Sequence, residues 1–193
     1  KSEIIKHINM MVDAQDDEGQ TPLYRAVADQ QAEVVKVLLS AGANPNLGDR
    51  NASSPVLKAS GAQKGTACLA LLLAAGADAN AHDARSPALM FAVSAGSLDN
   101  LRLLLEHGGN PNVPLGDGWT LLHAADGGMS EELLKHGASV NANGAIGTPL
   151  HRKVEQLDFE SVQVLVAHGA DVNLRNPAGQ TPLDLAADAA KEA

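Results

Sequence analysis

The chain has 193 residues, 45% of them apolar and 19% charged, with a formal net charge of −9, a balance that excludes wholesale disorder. Its 14 Lys and Arg residues form no block, which argues against a surface that binds nucleic acid by releasing counterions. One cysteine cannot build an internal disulfide framework, and no segment is apolar for long enough to span a bilayer. Aromatic residues are only 2% of the chain, so the core must come from Ala, Leu and Val, a set that suits short helices packed closely.

Taken in order, residues 3–15 (EIIKHINMMVDAQ) read as a helix and turn whose preceding half is absent. The acidic run DAQDDEG at 13–19 reads as a solvated hairpin or, functionally, as a patch that attracts a basic partner. Thr21-Pro22-Leu23 then opens a pattern that returns at Ser54-Pro55-Val56, Pro87-Ala88-Leu89, Thr120-Leu121-Leu122, Thr148-Pro149-Leu150 and Thr181-Pro182-Leu183, at spacings of 33, 33, 33, 28 and 33. A Thr or Ser hydroxyl accepts from the free N–H groups of a helix's first turn, and Pro at the next position gives up a donor that would have no partner. Each start therefore predicts a short helix. A second helix follows, as in EVVKVLLSAG at 33–42, whose apolar residues recur at helical spacing. Gly42, Gly76, Gly108, Gly137 and Gly169 fall where a helix ends in a left-handed residue, and the Asn-rich stretches beyond read as turns. Cys68, in the run TACLALLL, reads as a small apolar core residue in a reducing compartment. Two such helices cannot bury their apolar faces alone, so stacking on neighbours must supply the core.

Three places depart from the pattern. Pro87 stands where Thr is expected, so that cap is weaker or is supplied by Ser86. Arg152 and Lys153 fall where small or apolar residues pack, and their stems are expected to lie along the stack with the charges in water. The Leu133-Leu134 pair begins 13 positions after Thr120, whereas Leu38 comes 17 positions after Thr21. Gly127 and Gly128 are poor helix residues and Ser130 reads as a fresh N-cap, so the expected consequence is a shortened helix pair, its second helix cut to about two turns. That unit is the expected weak joint and a place where the curvature of the stack changes.

The period, TPLH at 148–151 and HGADVN at 168–173 resemble the ankyrin repeat over essentially the whole chain. The resemblance implies an all-α solenoid of stacked helix-turn-helix units with projecting hairpin-like turns. Its boundaries are a partial repeat at 1–16, repeats at 17–48, 49–81, 82–114, 115–142 and 143–175, and a partial repeat or cap at 176–193. Both ends look cut from a longer protein. The resemblance also implies that His123 and His151 join a hydrogen-bond network with Thr that ties neighbouring repeats together.

No chemistry stands out. His107, His136 and His168 each precede a helix-ending Gly and read as carbonyl caps. His7 falls in the first partial unit and His82 in a turn, and no pair has metal-ligand spacing. Phosphate-loop, nucleophile-elbow and calcium-loop signatures are absent. The expectation is a non-enzymatic module with no metal and no cofactor.

The resemblance places the partner site on the projecting turns and first helices, which line a concave face. The positions implied are Asp17, Glu18, Gln20, Asp29, Arg50, Asn51, Asp83, Arg85, Asp117, Trp119 and Ile146. Their charge is acidic at the first turns and mixed further on, with the chain's one tryptophan beyond. That order suits a protein partner with a basic segment and an apolar anchor gripped by Trp119. The array is expected to be monomeric and cytoplasmic, or in a host cytosol if it is a secreted bacterial effector, with no nucleic acid bound and no membrane insertion. The alternative is the substrate-recruiting domain of a larger enzyme or effector.

Overall fold

The computed structural model describes residues 11–84 and 86–192. Most of the helix expected at 3–15, with His7, and the candidate Arg85 lie outside the described residues. Eleven helices follow residue 20: α1 (Pro22–Ala28), α2 (Ala32–Ser40), α3 (Pro55–Ser60), α4 (Thr66–Ala74), α5 (Ala88–Ser94), α6 (Leu98–Glu106), α7 (Leu121–Ala124), α8 (Gly127–Lys135), α9 (Pro149–Glu155), α10 (Phe159–Ala167) and α11 (Pro182–Glu192). Among the described residues the only β-type pairings are isolated bridges, His82 with Pro87 and Gly144 with Gly147. The fold is therefore helical, built of helix pairs joined by turns. It packs as two compact units, one ending at Gly109 and the other beginning at Asn110.

In the first unit the predicted starts form. Thr21 Oγ1 accepts from Tyr24 N–H at 3.1 Å and Ser54 Oγ from Leu57 N–H at 3.4 Å, each ahead of a Pro in the first turn. Pro87 leaves α5 without a side-chain cap, and Ser86 does not replace it. Leu23, Val56 and Leu89, one residue after each Pro-type start, are at most 1% exposed, as are Leu72 and Leu104 from the second helices. Cys68 is buried, and burial pushes its thiol pKa up, which keeps it protonated and unreactive.

Asparagines join one turn to the next. Asn46 Nδ2 donates to the Gly76 carbonyl at 3.4 Å while its Oδ1 accepts from Asp78 N–H at 2.9 Å. Asn80 Nδ2 donates to the Gly108 carbonyl at 3.0 Å. In the second unit Asn112 and Asn141 repeat the motif, donating to Gly137 and Gly169 at 2.9 and 3.3 Å and accepting from Ser139 and Asp171, both at 2.8 Å. Each rung satisfies a carbonyl that a helix end leaves without an intrahelical partner.

One more polar group holds the first unit together. The α3–α4 connection turns sharply over residues 61–65, and Asn100 of α6, wholly buried, plugs it. Its Nδ2 lies 3.3, 3.2 and 3.1 Å from the carbonyls of Ala59, Ser60 and Ala62, and its Oδ1 accepts from Thr66 Oγ1 at 2.8 Å.

The second unit corrects two expectations. The shortened repeat loses its residues from the first helix: α7 has four residues, whereas α8 has nine, as many as α10. The cap is Asp126, whose Oδ1 accepts from Met129 N–H at 2.9 Å, and both glycines are inside the helix. The side chain of Glu160 of α10 lies over Gly127, in the space a Cβ there would take. Lys153 also departs from expectation. Its side chain is 3% exposed and its Nζ stays inside, 3.4 Å from Gln156 Oε1 and 3.7 Å from Asp158 Oδ2. Burial holds its pKa below the ordinary lysine value, against the pull of Asp158 and Asp126. Burial also pushes Asp158 up, but hydrogen bonds from the Ser161 hydroxyl and N–H, with Lys153 beside it, hold its carboxyl below the usual value.

Candidate functional site

The two TPLH-type histidines do what the resemblance implies. Thr120 N–H donates to His123 Nδ1 at 3.1 Å, so the ring's hydrogen sits on Nε2, which donates to the Gly147 carbonyl of the next turn at 3.2 Å. Thr148, His151 and the Gln180 carbonyl repeat this at 3.1 and 3.0 Å. Burial keeps the His123 pKa below its ordinary value, in keeping with a neutral ring. His107, His136 and His168 place Nδ1 at 2.9, 3.0 and 2.9 Å from the carbonyl four residues earlier, as carbonyl caps. These five rings are structural. Among the described residues no cluster of His, Cys, Asp or Glu could hold a metal ion, and no helix is long and apolar enough to cross a membrane.

On the turn and first-helix side of the first unit lies a groove of about 900 Å³. Its floor is Tyr24, Val27 and Ala28 from α1 with Leu57, Lys58 and Gly61 from α3, its far wall is Phe91 of α5, and its rim is Asp49, Asn51, Ser53, Asp83 and Ala84 from the turns. A Cβ at Gly61 would make only ordinary contact with the Phe91 ring, 3.5 Å away. Tyr24 and Phe91, two of the few aromatic residues, thus face one cavity, and the Tyr24 hydroxyl is fixed to Ser53 Oγ at 3.4 Å.

Of the residues implied by the resemblance, Asn51 and Asp83 line this groove. Asp17, Glu18, Asp29 and Arg50 are exposed around the same turns and helix ends, and Gln20 donates from Nε2 to Glu18 Oε2 at 2.9 Å. Arg50 N–H donates to the Glu18 carbonyl at 3.1 Å, so these two positions hold successive turns together through their backbones. The residue that shapes the first turn is Asp16. Its Oδ1 accepts from the N–H groups of Glu18 and Gln20, both at 2.9 Å, and its Oδ2 from Arg25 Nη2 at 2.7 Å. The Gln20 N–H first and Arg25 second hold the Asp16 carboxyl below its usual pKa. Part of the acidic run is therefore internally neutralised.

In the second unit Trp119 is half-buried rather than free at a turn tip. Its ring centroid is 5.3 Å from that of His123, and the Arg152 guanidinium carbon lies 5.8 Å from the ring centre. Arg152 Nη1 is 3.6 Å from Glu155, while its buried Nε has no hydrogen-bond partner. Asp117, exposed, accepts from Ala145 N–H through its carbonyl at 2.8 Å, and Gly118 meets Gly144 so closely that a Cβ on Gly118 would be 2.3 Å from the Gly144 Cα. Ile146 is half-buried. The tryptophan packs a turn against the following repeat and shows the remainder of its surface to solvent. The turn scan missed Tyr24, Leu57, Lys58 and Phe91 because they lie on first helices, three or four residues after each start. The signal available was that a chain so poor in rings places two of them at those offsets.

Comparison with known families matches "Ankyrin repeats (3 copies)" to residues 57–144, "Ankyrin repeats (many copies)" to 133–186 and "Ankyrin repeat" to 18–50. The chain belongs to the ankyrin repeat family, whose arrays are protein–protein interaction modules. It is similar to the Transient receptor potential channel pyrexia of Drosophila melanogaster, 34% identical over 122 residues, covering 63% of this chain and 13% of that protein. It is also similar to the B-cell lymphoma 3 protein homolog of Mus musculus, 33% identical over 185 residues, covering 91% of this chain and 41% of that one. Among solved structures, the ankyrin repeat domain of Bcl-3 superposes with a TM-score of 0.81 at 30% identity, covering 95% of this chain and 88% of that domain. The chain thus spans less than half the length of these two curated relatives.

Proposed function

We propose that the chain is a non-catalytic binding module that grips a protein partner on its turn and first-helix side, with the first unit as the principal grip. The observation that carries this reading is the groove of about 900 Å³, which pairs an apolar floor and an aromatic wall with carboxylates on its turn rim. The exposed carboxylates of Asp17, Glu18 and Asp29 extend that acidic rim, so the partner segment is net basic. Trp119 contributes an apolar edge in the second unit while its other face serves packing. Neither ring nor carboxylate is arranged for bond chemistry.

The test is affinity capture of partners from the source cell, followed by quantitative binding of the captured protein to three variants. Phe91→Ala is expected to weaken it about tenfold or more, the effect of losing a buried aromatic anchor. Reversing Asp17 and Glu18 to Lys should slow association at low salt and matter little at high salt. Trp119→Ala is expected to have the smallest effect. A partner bound equally well by Phe91→Ala, with that variant's helicity unchanged, would move the site out of the groove.

A further inference from the structure

Two charges line the groove from different elements, one on a helix and one on a turn. Lys58 projects from α3 with its side chain exposed, beside Leu57 and Gly61. Asp49 is on the turn rim, where one oxygen, Oδ1, accepts from the N–H groups of Asn51 and Ser53 at 2.8 and 3.0 Å. Among the described residues, neither Lys58 nor Asp49 lies within ion-pair distance of an opposite charge. Tyr24, Leu57 and Phe91 line the same groove. A purely basic ligand would satisfy the rim but face Lys58 with like charge, and a purely acidic one would do the reverse. The arrangement has a preferred complement.

Building on the groove as the partner site, we propose that it recognises an extended segment with a bulky apolar residue flanked by one carboxylate and one cationic side chain. The apolar residue sits among Tyr24, Leu57 and Phe91. The carboxylate meets Lys58 on the helix wall, and the cation meets Asp49 Oδ2 on the rim. In an extended chain, alternate side chains point the same way, so anchor and charges need not be adjacent in sequence. The local order of charges then sets the direction in which the segment lies, while the outer carboxylates of the rim act at longer range on approach.

Selection of displayed random short peptides against the whole chain tests this. The enriched peptides should carry an apolar residue with an acidic and a basic residue close by. Lys58→Glu should weaken them about tenfold or more, and a repeat selection against that variant should exchange the acid for a second base. Asp49→Asn keeps the oxygen that the two N–H groups use while removing the charge, and should cost about threefold to tenfold. Peptides that lack an acidic residue, or that bind Lys58→Glu as tightly as the parent chain, overturn the proposal. If Phe91→Ala abolishes binding while Lys58→Glu leaves it intact, the charge pattern fails and the groove stands. If no peptide is enriched, or Phe91→Ala changes nothing, the groove itself fails.

Discussion

Asn100 in the first unit and Lys153 in the second are both buried polar side chains placed where an apolar residue would serve a repeat's core. Asn100 faces three backbone carbonyls and one hydroxyl, so nearly all its hydrogen-bonding capacity is used. Lys153 has one amide oxygen at 3.4 Å and a carboxylate at 3.7 Å, both long for a charged donor. The first is a plug that closes a connection. The second is a charge kept from water with poor compensation, and its lowered pKa reports that cost. Burial alone does not say whether a polar residue stabilises; the inventory of its partners does.

The largest expected effect tests the plug. Asn100→Leu should destabilise the chain by about 3 kcal/mol in urea unfolding, because it leaves the Ser60 carbonyl and the Thr66 hydroxyl without that partner and removes one of the bonds to the Ala59 and Ala62 carbonyls, which keep the backbone N–H groups of Ala62 and Gly65. A loss under about 1 kcal/mol would mean that water reaches those carbonyls. For Lys153→Met the opposite sign is expected, a gain of about 1 kcal/mol, since the buried ammonium is removed while Asp158, which loses its cationic neighbour, is part-exposed and keeps its Ser161 hydrogen bonds. Loss of stability in that variant would make Lys153 a second plug.

The pH dependence sharpens the same contrast. The folded Lys153 gives up its proton more readily than the unfolded one, so in the alkaline window below the ordinary lysine value the unfolded state binds more protons. Stability should therefore rise with pH through that window in the parent chain relative to Lys153→Met, with the penalty fully present at lower pH. A parallel pair of curves would contradict the burial. A smaller effect belongs to the cap that displaced Ser130: Asp126→Ala should cost about 1 kcal/mol of unfolding free energy, whereas Ser130→Ala, whose Oγ is buried without a partner, should cost less than that.

Much of the fold was legible because it rests on local signals. Thr21, Ser54 and Thr148 start helices through their own hydroxyls or through the His three residues on, and the glycines after each Leu pair end them. The start of α8 was misread because Gly127 looks unfavourable in its own window. The start is set by Asp126, whose carboxylate caps the helix, and the neighbour over Gly127, Glu160, lies 33 residues away in sequence. Asn100 was silent for the same reason, its acceptors being about 40 residues upstream. The candidate site was half legible: Asn51 and Asp83 follow from turn position, while the groove's floor needed the helices to be set side by side.

The asparagine rungs bear on how such a chain changes over generations. Thr120 and Thr148 are 28 residues apart rather than 33, yet the rungs at Asn112 and Asn141 on either side of that shortfall are intact. Because every rung is made from a side chain of one repeat and the backbone of the next, the interval between rungs can shrink without orphaning either neighbour. Repeat length can thus vary one repeat at a time, as the four-residue α7 shows.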